Sequence, residues 1–170
     1  MNNSKYRGVV VPMVTPVTQD GQLDVEAVKR IINFFANHNV SPLLMGTTGE
    51  GNSVSQADGQ LFVETAVKAR EQWSMSNGQC SMVIYAGLTG NCFAEQLAQA
   101  EAYTKAGADV SVATLPTYYA LTPEQMENYY RIRVECTFLC DGCDHRNDHT
   151  PVFLTHVHTD SNLNMFLLLH

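Results

Sequence analysis

This 170-residue chain has no basic cluster longer than Lys29-Arg30, and its 17 acids outnumber its 10 lysines and arginines for a formal net charge of −7. The electrostatic footprint of a nucleic-acid binder is therefore missing. No run approaches the roughly 18 apolar residues of a membrane-spanning helix, which argues against a membrane partner. The opening Met1-Asn2-Asn3-Ser4-Lys5 is polar and no apolar stretch follows it, so no secretory signal is expected. The expected compartment is the cytoplasm, where the five cysteines stay reduced thiols. Lysine is absent after Lys105, and alanine is absent after Ala120 although fourteen alanines lie up to that point. Apolar residues are plentiful, at 45%, which suits one globular domain with a real core.

The pattern along the first 130 residues alternates strand and helix four times, at roughly 30–35 residues per unit. Gly8 to Val14 reads as a first buried strand ending at Thr15-Pro16, with a turn at Asp20-Gly21. Asp24 is a good N-cap, and Val25, Val28, Ile31, Ile32 and Phe35 recur at helical spacing to about Asn37. His38 suits the end of that helix. Leu43 to Met45 is the second strand, and Ser55 opens a helix with Leu61, Phe62, Thr65, Ala66 and Ala69 on one face. Ser81 to Ala86 is the third strand and Phe93 to Lys105 the third helix, with Gly107 placed for a C-cap. Val110 to Thr114 is the fourth strand, and Thr122-Pro123 starts the fourth helix with Pro at its favoured first position. This alternation predicts a parallel α/β architecture, either a barrel or a doubly wound sheet.

Chemistry gathers in the loops after the predicted strands: Thr15-Pro16, Thr47-Thr48, Gly87 to Asn91 and Tyr118-Tyr119. Barrels and open α/β sheets place their sites at that carboxyl face. In Leu43-Leu44-Met45-Gly46-Thr47-Thr48-Gly49-Glu50-Gly51 an apolar run stops at a glycine and two threonines follow. The glycines are expected to turn the backbone and admit a ligand, while two hydroxyls and several N–H groups converge on one small anion.

These residues resemble the amino-terminal half of the dihydrodipicolinate synthase / N-acetylneuraminate lyase family of class I aldolases. The resemblance rests on Val11-Pro12-Met13-Val14-Thr15-Pro16, Asp20-Gly21-Gln22-Leu23-Asp24, Gly46-Thr47-Thr48-Gly49-Glu50, Gly87 to Asn91 with Ala94-Glu95, Ala106-Gly107-Ala108-Asp109, and Pro116-Thr117-Tyr118-Tyr119 followed by Tyr129-Tyr130. It covers residues 1 to about 130. It implies a TIM (β/α)8 barrel, of which this chain holds about four to five units, and a Schiff base between a lysine and pyruvate or another 2-keto acid. It implies no cofactor. Thr47 and Thr48 are the expected donors to the keto-acid carboxylate. Thr47 and Tyr118 are the expected members of a hydroxyl proton relay, with Tyr119 as the alternative to Tyr118, and by analogy with the family that tyrosine reaches a neighbouring subunit's site. The family's oligomers imply self-association, and two open sheet edges argue for it independently.

The chain departs from the family after that. The family's acid/base tyrosine belongs to a fifth strand in a Pro-x-x-x-Tyr-Asn-x-Pro pattern, and here Pro151-Val152-Phe153-Leu154 is followed by Thr155-His156. The Schiff-base lysine lies on the sixth strand, and none of Lys5, Lys29, Lys68 and Lys105 matches it. The expected outcome is a lyase or synthase chain that is inactive alone. A barrel of this class takes ~250 residues.

Residues 131–170 carry five of the six histidines and three of the five cysteines, and only Pro151 to Leu154 resembles a strand. They are expected to form an irregular divergent tail, as a disordered or frame-shifted ending. Cys136, Cys140, Cys143, His145 and His149 include spacings used by zinc sites, but the ligand pairs lie closer together than standard zinc modules place them, and no metal is assigned. His156, His158 and His170 read as solvated. The alternative reading is a non-catalytic partial barrel that binds a metal or a partner through this tail.

Overall fold

Local capping sets the helices. The Asp24 carboxylate accepts the Ala27 N–H at 2.9 Å, and the Ser55 hydroxyl accepts the Asp58 N–H at 3.1 Å. Each satisfies an amide that a helix start leaves without an intrahelical partner. A computed structural model describes residues 6, 8–78, 80–116, 118, 120–138, 152–155 and 166–169. In chain order the elements are β1 (Val9–Pro12), α1 (Val25–Asn37), β2 (Val40–Leu44), α2 (Gln56–Asn77), β3 (Tyr85–Leu88), α3 (Phe93–Lys105), β4 (Val110–Ala113), α4 (Pro123–Phe138), β5 (Val152–Thr155) and β6 (Phe166–Leu169).

The third helix ends where Gly107 predicts it. Gly107 N–H donates to Thr104 O at 3.0 Å and Ala108 N–H to Tyr103 O at 3.0 Å, with Gly107 at φ 95°. That pair of bonds closes a Schellman turn, which needs the left-handed conformation glycine adopts without strain.

Strands β1 to β5 pair in sequence order and all in parallel. A doubly wound sheet reverses its strand order at a switch point, so the sequential order identifies the barrel alternative. The fold is a partial (β/α)8 barrel. Helices α1 to α3 lay Val28, Ile32, Phe35, Phe62, Val63, Ala66 and Tyr103 over Leu44, Ile84, Ala86 and Leu88. Val83, Tyr85, Val110 and Val112 form a second cluster. The alternation of Val83 and Tyr85 with Ile84 and Ala86 follows the two-residue period of a strand and divides helix-covered from barrel-interior residues.

The α2 residue Arg70 pairs with Asp109, whose carboxylate also accepts the Ile84 N–H at 2.9 Å. This ties α2 to the entrances of β3 and β4. That end of the barrel is opposite the carboxyl rim, and residues there serve stability.

Four expectations need correction or extension. β1 is not buried: Val9 is 61% and Val10 40% exposed, and Val14 is exposed beyond it. Among the described residues it forms an edge of the sheet, with β2 as its one neighbour. On α2, Leu61 is exposed, whereas Phe62, Val63, Thr65, Ala66, Val67 and Ala69 are buried. Two neighbouring helices, α1 and α3, cover α2, and this shifts the buried stripe toward Val63 and Val67. The fourth helix, expected to start at Thr122-Pro123, runs as α4 past residue 130 to Phe138. Finally, β5 occupies the expected stretch, and β6 joins it antiparallel. Phe166–Leu169 is a four-residue apolar run without alternation, which periodicity alone does not assign.

Candidate functional site

The carboxyl ends of β1 to β4 open onto one rim. On it, β2 ends in a left-handed residue, Met45 at φ 57°, and a second, Glu50 at φ 50°, closes the following turn. The glycines of the motif do not carry these turns. Two of them instead permit close approach. A Cβ on Gly51 would lie 2.2 Å from Met45 O, and one on Gly49 would lie 2.8 Å from Met13 O. Gly46 has ordinary room, with Leu43 at 3.5 Å. Met45 holds its unfavourable backbone because its side chain is buried in the core. A non-glycine residue there costs on the order of 1–3 kcal/mol, which the surrounding packing must offset.

The turn closes on itself through Gly49 N–H to Gly46 O at 3.1 Å, Glu50 N–H to Thr47 O at 3.1 Å and Gly51 N–H to Gly46 O at 3.2 Å. Those three amides are engaged. Among the described residues the amides of Thr47 and Thr48 make no backbone bond, and both side chains are exposed. The first loop supports the turn from below, since the Thr15 hydroxyl donates to Gly49 O at 2.6 Å.

The loop after β3 connects its neighbours. Thr89 donates from its N–H to Gln99 Oε1 at 2.9 Å and from its hydroxyl to Gly51 O at 3.3 Å. Gly90 N–H donates to Asn52 Oδ1 at 3.0 Å. Asn91 Oδ1 accepts the Tyr118 N–H at 3.3 Å. Tyr118 itself is 74% exposed on the rim. The expected residues Thr47, Thr48 and Tyr118 therefore all lie on the carboxyl rim, with Thr47 and Thr48 on one loop and Tyr118 on another. Tyr119 falls outside the described residues. Sequence reasoning missed Asn52, in the turn after β2, and Gln96 and Gln99, on the alanine-rich α3, because lone amides form no recognisable motif.

The described lysines sit elsewhere. Lys29 pairs with Glu26, Lys68 with Glu64 and Lys105 with Glu101, each within its own helix. Lys5 lies outside the described residues, as do Cys140, Cys143, His145, His149, His156, His158 and His170. Cys136 is on α4. Among the described residues no group of three or more His, Cys, Asp or Glu is placed to hold a metal, and no helix is long and apolar enough to cross a membrane. His38 ends α1 as expected, its Nδ1 2.7 Å from Phe34 O.

The family model described as the dihydrodipicolinate synthetase family matches residues 5–140. A 4-hydroxy-tetrahydrodipicolinate synthase of Thiobacillus denitrificans is 31% identical over 129 residues, covering 75% of this chain and 41% of that protein. The "Probable 2-dehydro-3-deoxy-D-pentonate aldolase" of Escherichia coli K12 is 31% identical over 129 residues, covering 75% of this chain and 40% of that protein. Among solved structures, dihydrodipicolinate synthase from Aquifex aeolicus matches with a TM-score of 0.72 at 22% identity, over 89% of this chain and 45% of that one. N-acetylneuraminate lyase from Fusobacterium nucleatum matches with a TM-score of 0.73 at 17% identity, over 95% of this chain and 50% of that one. Both structures show the fold. The chain spans about two fifths of the length of the curated relatives it matches. With motif order, sequential parallel strands and relatives in agreement, the chain belongs to the dihydrodipicolinate synthetase family.

Proposed function

We propose that this chain carries the keto-acid recognition half of a Schiff-base lyase or synthase site and completes no covalent chemistry by itself. The observation that carries the reading is the turn after β2. Its internal bonds engage Gly49, Glu50 and Gly51, while among the described residues the Thr47 and Thr48 amides make no backbone bond and both residues are exposed. Adjacent N–H and O–H donors without a competing base suit a small carboxylate. The ligand class is pyruvate or another 2-keto acid. Thr47 and Tyr118 are the proton-relay hydroxyls of this reading.

Schiff-base formation needs a lysine amine inside the site. The described lysines are on helices covering the outside of the sheet, each beside a carboxylate of its own helix. Residues 131–170 are proposed to be the divergent part of the chain, a cytoplasmic setting is proposed from the cysteine usage, and self-association from the open β1 edge.

The test is a pyruvate titration followed by amide NMR. Thr47 and Thr48 amides should shift, and Thr48→Val should weaken binding about tenfold, the loss expected from one hydrogen bond to a charged group. Borohydride reduction in the presence of pyruvate should leave the intact mass unchanged. An adduct on Lys29, Lys68 or Lys105, or a titration that leaves the Thr47 and Thr48 amides unmoved, would overturn the reading.

A further inference from the structure

Two rim loops are linked through a third, and the link has a buried anchor. Gln96 on α3 is 0% exposed, and both ends of its carboxamide are engaged. Its Nε2 donates to Gly90 O, and its Oε1 accepts from the Tyr129 hydroxyl. Gly90 lies between Thr89, bonded to Gln99 and to Gly51 of the threonine turn, and Asn91, bonded to the Tyr118 amide. Tyr129 belongs to α4, the helix that follows the Tyr118 loop. The β3–α3 loop is therefore bonded to the β4–α4 segment twice: once before α4, through Asn91, and once within α4, through Gln96.

The geometry also determines which end of the carboxamide is which. A carbonyl such as Gly90 O only accepts, so the amide nitrogen must face it. The carbonyl oxygen is then left for the tyrosine O–H. A buried amide with both ends satisfied is rigid, because breaking either bond strands a polar atom away from water. Gly90 has φ 101°, so the loop there already takes a conformation few residues favour, and side-chain bonds hold it.

We propose that Gln96 is a positioning residue: by holding Gly90 and Tyr129 together, it fixes the backbone of the loop that carries Tyr118. This deepens the function proposed above, since it rests on Tyr118 as the relay tyrosine. A relay needs its hydroxyls held in line, and an exposed tyrosine on a loop needs that constraint from its backbone.

The experiment is amide hydrogen exchange on the full chain without ligand, so its outcome does not depend on pyruvate binding. In Gln96→Leu, exchange at the Asn91 and Tyr118 amides should accelerate about tenfold, while Val28 and Ile32 on α1 stay unchanged. Tyr129→Phe, the milder change should the leucine variant fold poorly, should accelerate the same amides less. Adding it to Gln96→Leu should produce no further increase, because both act through one link. Gln96→Glu supplies a pH signature. The carboxylate cannot donate to Gly90 O, but the protonated acid can donate there and still accept from Tyr129. Burial raises such a carboxyl's pKa, so protection at Tyr118, taken relative to the intrinsic exchange rate at each pH, should return as the pH falls. Equal acceleration at Val28 and Ile32, unchanged exchange at Tyr118, or a glutamate variant whose protection at Tyr118 does not change with pH would each overturn the proposal. Failure of pyruvate to bind, with these exchange results intact, would count against the proposed function and leave the link standing.

Discussion

Gly59 on α2 offers a prediction in which two opposing effects have known sizes. A Cβ added there would sit 2.6 Å from Tyr103 Oη and 3.0 Å from Met45 Cε. In a helix interior, alanine is favoured over glycine by about 1 kcal/mol. Overpacking a fixed core costs about 1–3 kcal/mol. The methionine tip can move, but Tyr103 is fully buried and its ring is held by α3. The clash should therefore win, and Gly59→Ala should destabilise the chain by about 1–2 kcal/mol. Tyr103→Phe removes the nearest atom. Among the described residues that hydroxyl is buried with no hydrogen-bond partner, so the phenylalanine variant alone should be neutral or stabilised by about 1 kcal/mol. In that background Gly59→Ala should become stabilising through helix propensity. The four chains form a double-mutant cycle with an expected coupling of about 2 kcal/mol. Urea unfolding read by far-UV circular dichroism measures it. The single tryptophan, Trp73, bonded from α2 to Asn37 at 3.0 Å, provides an independent fluorescence probe. Additivity within about 0.3 kcal/mol would show that the tyrosine oxygen does not fill the space beside Gly59, and the reasoning would fail.

Other predictions follow from the same structure. Gly51→Ala should displace the threonine turn and abolish pyruvate-dependent shifts at Thr47 and Thr48, whereas Gly46→Ala should preserve them, as amide NMR will show; the difference is the 2.2 Å approach to Met45 O against an ordinary 3.5 Å contact. Burial raises the Tyr103 pKa from 10.0 to about 12. The neutral form is favoured in the fold, so this stabilisation is complete below pH 10 and is lost by about 2–3 kcal/mol as the pH rises from 10 to 12. Tyr103→Phe should flatten the alkaline limb of a stability profile; a residual slope should remain from Tyr85, whose pKa is raised by burial, then by Tyr6 and Asp109. Asp109→Ala should cost about 3 kcal/mol in a denaturant titration, because it strands the Ile84 N–H and, among the described residues, leaves the Arg70 guanidinium only the Met82 and Gly107 carbonyls, each at 3.5 Å. Val10→Lys on the open β1 edge should reduce association measured by light scattering; unchanged association would place the contact elsewhere.

Helix ends and the parallel class were readable from residues alone because their causes are local. Asp24, Ser55 and Gly107 satisfy amides and carbonyls within a few positions of themselves, and α3 spans Phe93–Lys105 as the pattern predicts. The placement of Thr47, Thr48 and Tyr118 on one rim followed from their positions just after apolar strands. Other features required tertiary structure because their causes are distant in the chain. β1 has the apolar run of a buried strand, yet its exposure depends on whether a strand lies beyond it. Leu61 and Val63 are equally apolar, and the flanking helices decided which is buried. The left-handed turns fell to Met45 and Glu50 rather than to the neighbouring glycines, because Gly49 and Gly51 had to make room for the backbone oxygens of Met13 and Met45. The Gln96 link joins residues on two helices to a loop, and no spacing rule announces a bond between groups that meet only once the sheet has formed.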